Sequence, residues 1–175
     1  MQSVSNDNFG PLIAYLIPGA TALIGLVPFS PAIRTWLAAT PDDAPTIGGF
    51  LYLTIASLAV GMAVSAIRWA AVDFIHARTG LKQPPLDFSN LRGNVDAFSL
   101  LIEIHYRHYQ FHANMFVAVA FLYACLAIAG IPLSVGLSVA LLILEVVFFR
   151  TSRDNLRKYY ARTAQLLGGR RGERR

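Results

Sequence analysis

Four apolar runs, residues 11–29, 47–67, 113–129 and 131–149, constrain this chain more than any motif in it. A helix needs about 20 apolar residues to cross a hydrocarbon core of about 30 Å. Each run meets or nearly meets that length, so the chain reads as an integral membrane protein. Charged residues make up 14% of it and hydrophobic ones 55%, whereas soluble proteins carry about 25% charged. The expectation is an all-α, four-span membrane bundle with cytoplasmic extensions of its second, third and fourth helices. It forms a single domain over residues 1–167, with a cytosolic helical segment at 68–112 and a disordered basic tail at 168–175.

The placement of charge gives an orientation. The first loop holds Arg34 beside Asp42 and Asp43. The central segment carries Arg68, Arg78, Lys82, Arg92 and Arg107, and nine Lys/Arg lie from Arg150 onward. Basic residues gather on cytoplasmic loops. Both termini and the central segment are therefore expected inside, which an even number of spans requires. Arg150, Arg153, Arg157, Lys158 and Arg162 read as a lipid-surface basic helix, each worth about 1 kcal/mol near anionic headgroups. Nucleic acid is not the expected partner of this charge. The N-terminus lacks a basic n-region and a small-residue cleavage site, so a cleaved signal peptide is not expected. Cys125 lies in the third run and reads as a small packing residue.

Within the first run, Pro18-Gly19 predicts a kink. Ser30-Pro31 reads as a helix start, with a short interfacial helix carrying Trp36. Ser57, Gly61 and Ser65 recur every four residues, a small-residue stripe that admits a close helix neighbour from the same chain or another copy. The second helix should run through Asp73 and His76 to a cap near Gly80. From about Val95 no breaker occurs before Gly130, which predicts one helix of roughly 35 residues, or 52 Å.

Several polar residues carry candidate chemistry. Glu145 is the one acid expected in the hydrocarbon region, a position that defaults to a functional reading. It suits an ion path lined also by Arg68, or a structural bridge to Arg68 or His112. Asp73, His76, Glu103, Arg107 and His112 form a candidate cytosolic polar cluster, either a gate, a partner site or a latch. His105, His108 and His112, at i, i+3 and i+7, are a candidate metal or haem face. The plainer reading is an aromatic, hydrogen-bonding interfacial face. No metal, haem or other cofactor is expected. Arg107 and His112 also match the Arg-x4-His string of HEPN ribonucleases, but Glu103 stands where it pairs with Arg107 within the helix. No Walker A, dinucleotide fingerprint, nucleophile elbow or His-Glu-x-x-His occurs, so an ordinary enzyme is not expected.

The stretches Asn8-Phe9-Gly10-Pro11-Leu12-Ile13-Ala14-Tyr15-Leu16-Ile17-Pro18-Gly19 and His105-Tyr106-Arg107-His108-Tyr109-Gln110-Phe111-His112-Ala113-Asn114-Met115 resemble a group of small bacterial four-span membrane proteins. That resemblance implies a fold and a bacterial inner membrane, and no activity. Arg107 and His112 are also similar to the degenerate string of pore-forming membrane accessory proteins of RNA-targeting CRISPR systems. The expected function is an oligomeric channel, pore or membrane effector, with the lipid bilayer and further copies as partners. The alternatives are a non-conducting adaptor for a cytosolic protein, or an enzyme or metal binder using the histidine face.

Overall fold

The structure, a computed structural model, describes residues 6–37 and 47–168. The chain there is all-α. Its helices are α1 (Asn6–Leu26), α2 (Pro31–Leu37), α3 (Ile47–Arg78), α4 (Val95–Leu101), α5 (Arg107–Ile128) and α6 (Val135–Leu167). Short 3-10 turns occupy Val27–Phe29 and Phe88–Gly93, and a π turn, Ile102–Tyr106, joins α4 to α5.

Three helices among the described residues are long and apolar enough to cross a membrane: Gly48–Arg78, Val95–Ile128 and Val135–Leu167. This corrects the four-span expectation. Among the residues whose side chains are described, the first apolar helix is Ile13–Phe29, about 25 Å at 1.5 Å per residue. Pro28 lies inside the terminal 3-10 turn, and α1 proper stops at Leu26. The protein is thus a multi-pass membrane protein, with three helices of spanning length and composition among its described residues. With three such helices described rather than four, the parity check on the termini has no support. The expected extensions also need correction. The added pieces are short helices in their own right: α2 in the first loop, the 3-10 turn at Phe88–Gly93, and α4 ahead of the π turn. The expected tail from Gly169 and the loop acids Asp42 and Asp43 lie outside the described residues.

Local chemistry explains the ends. Gly80 takes φ +92°, and Leu81 N–H donates to the His76 carbonyl at 2.9 Å, closing α3 in a left-handed cap that favours glycine. Asp87 caps the next turn through Ser89 N–H, 3.0 Å. The Ser89 hydroxyl and N–H together hold the Asp87 carboxyl below its usual range. Ser134 starts α6 by accepting from Leu137 N–H, 3.2 Å. Trp36 of α2 stacks on Tyr52 at 5.9 Å.

Two cores lie end to end. In one, Ala22, Val64 and Ala118 join α1, α3 and α5. In the other, Val72, Tyr109, Ala113 and Leu156 join α3, α5 and α6. The helix directions follow from the contacts. Gly19 meets Ser57 while Tyr15 meets Gly61, so α1 and α3 are antiparallel. Asn114 meets Ala14 while Leu122 and Cys125 meet Gly25, so α1 and α5 run the same way. The buried Cys125 fills the space beside Gly25. The Ser57/Gly61 part of the small stripe is occupied by α1. A Cβ on Gly19 would overlap the Ser57 carbonyl, and one on Gly61 the Tyr15 carbonyl.

The helix α1 stays unbroken through Pro18. Proline has no N–H, so the carbonyl four residues back, on Ala14, loses its helical donor. The fully buried Asn114 supplies one, Nδ2–H to Ala14 O at 3.0 Å. In lipid such replacement from a neighbouring helix is what lets a proline persist.

Candidate functional site

The polar residues singled out in the sequence fall into three groups rather than one. The first surrounds Arg68, which is 4% exposed. Its guanidinium pairs with Asp73 at 3.3 Å and lies over the Tyr109 ring, 5.2 Å to the centroid. The Tyr109 hydroxyl donates to the same Asp73 oxygen. A buried arginine needs this enclosure, because an unpaired charge at such a site is strongly destabilising. Asp73 is partly wetted, with 31% of its side chain exposed, and asparagine would keep an acceptor. The acceptor remains but the counter-charge to the buried Arg68 is lost, so Asp73→Asn is expected to cost about 2–3 kcal/mol, read as a lower unfolding midpoint in detergent.

His76 belongs beside this group but bonds elsewhere. Ser152 Oγ–H donates to the Phe149 carbonyl at 2.8 Å. Ser152 must then accept from His76 Nε2–H, 3.2 Å away. This buried link ties α3 to α6. Arg153 adds a second tie, donating to the Thr79 carbonyl at 2.8 Å and to its hydroxyl.

The second group lines a cleft of about 440 Å³ bounded by Ile13, Ala14, Glu103, Arg107, His108, Phe111 and His112. Glu103 pairs with Arg107 at 2.8 Å, the intrahelical partner the spacing suggests. His105 is not in this cleft. It is buried on the other side, where Arg162 Nη1 donates to its Nε2 at 2.6 Å. The π turn accounts for this. Its wider turn adds a residue to the helical repeat, which moves His105 out of phase with His108 and His112. The three histidines do not share one face, and no group of three or more His, Cys, Asp or Glu able to hold a metal occurs among the described residues.

The third group is Glu145 alone. Both carboxylate oxygens are shielded from solvent and have no hydrogen-bond partner. They face a groove of about 270 Å³ between α5 and α6, lined by Phe116, Val119, Ala120, Tyr123, Leu141 and Leu142. The expected bridges to Arg68 or His112 do not form. Arg68 is held by Asp73, and His112 donates Nδ1–H to the His108 carbonyl at 2.6 Å. Of the basic face on α6, Lys158 pairs with Asp154 at 2.5 Å, Arg153 and Arg162 bond as above, and Arg150 and Arg157 are exposed.

Sequence reasoning missed Tyr109, Ser152 and Asn114. Each is a polar atom inside a helix whose partner lies on another helix, and periodicity carries no signal for that pairing.

No family model, curated protein or solved structure matches this chain. The resemblance to a four-span bacterial family, and the one to accessory proteins of RNA-targeting CRISPR systems, are therefore both corrected. Neither has a match behind it, and the first also assumed a fourth span. The bacterial inner-membrane assignment rested on that likeness and has no other support.

Proposed function

We propose that this protein is a membrane effector that works as an oligomer, with Glu145 lining an ion path between copies. One observation carries the reading: Glu145 is an unpartnered carboxylate on a helix that the rest of the chain hardly covers. Only 6% of the most apolar stretch of α6 is buried, and Leu142, Ile143 and Val146 around Glu145 are more than half exposed. A carboxylate at depth is stabilised by pairing, protonation or water. A wet seam between copies supplies the last of these, and carboxylate rings are a common lining of cation paths. The end of the bundle that carries Arg78, Lys82, Arg107 and the α6 basic face then lies in the cytosol, by the excess of Lys/Arg there. The C-terminus of α6 lies with it.

The test combines particle mass in nanodiscs with planar-bilayer recording. The expected result is a discrete oligomer that conducts, with Glu145→Gln reducing cation conductance roughly twofold or more. A strict monomer with silent bilayers sinks the reading. In that case the non-conducting adaptor remains, its cytosolic end made rigid by the His76–Ser152 and Arg153–Thr79 ties.

A further inference from the structure

The groove between α5 and α6 combines features that rarely meet by packing alone. Tyr106 meets Tyr159, and Phe116 meets Phe149 with ring centroids 5.4 Å apart, so the two helices run antiparallel. One helical turn on from Phe116 and one back from Phe149, Ala120 comes level with Glu145. Alanine has no side chain beyond Cβ, and it leaves room in the groove of about 270 Å³. Both Glu145 oxygens lack a hydrogen-bond partner there. The remaining lining is Phe116, Val119, Tyr123, Leu141 and Leu142, with no basic residue among them. Tyr123 and Leu142 are 42% and 61% exposed, so the groove opens sideways, toward lipid.

We infer that this groove binds a hydrophobic organic cation, an aryl or alkyl ammonium, with Glu145 as its counter-ion. Charge complementarity selects the sign. A carboxylate in an apolar site is stabilised by pairing, no side chain of the described residues pairs with Glu145, and an anion would be repelled. The walls select the rest of the ligand. Aromatic rings attract ammonium groups, and their combination with a carboxylate suits quaternary ones; Phe116 and Tyr123 supply the rings. Val119, Leu141 and Leu142 accommodate a hydrocarbon part, as apolar linings of ligand sites do. A bare metal ion fits poorly. Hard cations take about six or more oxygen ligands, and besides the carboxylate the lining side chains offer only the Tyr123 hydroxyl. The site is complete within one chain. It shares its carboxylate with the ion path proposed above but needs no second copy.

The experiment is calorimetric titration of the full-length protein in nanodiscs with benzyltrimethylammonium, whose charge is permanent, against empty nanodiscs as the reference. Benzenesulfonate serves as the anion of similar size. The expected result is saturable binding of one cation per chain and none of the sulfonate. Glu145→Gln should weaken the cation roughly tenfold or more, and it removes a charge from an apolar site, so it does not threaten folding. Tyr123→Leu should weaken it roughly threefold. Ala120→Leu keeps the charge, fills the groove and should abolish binding; Ala120 is exposed, so the larger side chain is tolerated. Absence of saturable cation binding overturns the inference. So does binding that Glu145→Gln or Ala120→Leu leaves unchanged, or equal binding of the sulfonate. A monomer that binds the cation removes the ion path and leaves this site standing, whereas a conducting oligomer that does not bind it does the reverse.

Discussion

Gly61→Leu separates α1 from α3. Even a methyl group at this position overlaps the Tyr15 carbonyl, and the obstacle is backbone, which cannot rotate away as a side chain can. Overpacking of a tight interior costs about 1–3 kcal/mol, more where the backbone must move. At this crossing the upper end, about 3 kcal/mol or more, is expected, and Gly19→Leu should behave alike against Ser57. The measurement is the folded fraction across a denaturing-detergent titration. Gly48→Ala and Gly136→Ala serve as matched controls, because nothing lies within 4 Å of a Cβ at either site. They should be neutral or slightly stabilising, since alanine outranks glycine by up to about 1 kcal/mol in a helix. Equal tolerance of leucine at 61 and alanine at 48 would show that α1 does not pack here.

Asn114→Ala strips the donor from the Ala14 carbonyl. That carbonyl lies where Pro18 provides none, in a fully buried setting. Leaving a buried acceptor unsatisfied costs about 1–3 kcal/mol. The same substitution in a Pro18→Ala background should cost clearly less, because residue 18 then has its own N–H for Ala14. The double-mutant cycle reads this directly: an interaction energy of about 1 kcal/mol between positions 18 and 114 is expected. Simple additivity would mean that Asn114 stabilises the bundle through packing alone.

Both cases show what a single sequence can carry. The stripe of Ser57 and Gly61 was visible as a close-approach surface, because small residues at every fourth position have a physical meaning on their own. Its occupant was not visible, since Gly19 sits in a different run and nothing local joins the two. Pro18 was readable as a missing donor, but nothing local showed that the Asn114 amide of a distant helix supplies one. Apolar composition alone extended the first run to Phe29, whereas the α-helix gives way to a 3-10 turn carrying Pro28 after Leu26. Glu145 was identifiable as an acid among apolar residues. Pairing it with Arg68 used depth along the helix, and depth says nothing about which way a side chain faces. Glu103 with Arg107 was predictable because that pair lies within one helix.

The wide turn at Ile102–Tyr106 was hidden for a different reason: it contains neither glycine nor proline. It acts as a phase marker between two stretches of one rod. Its residue count decides that Arg162 meets one imidazole while the cleft receives the other two. Losing a single amino acid there would leave composition almost untouched and still rotate the leading stretch by about 100° around the rod axis. In this segment chain length is itself encoded information, as binding as the identity of any side chain.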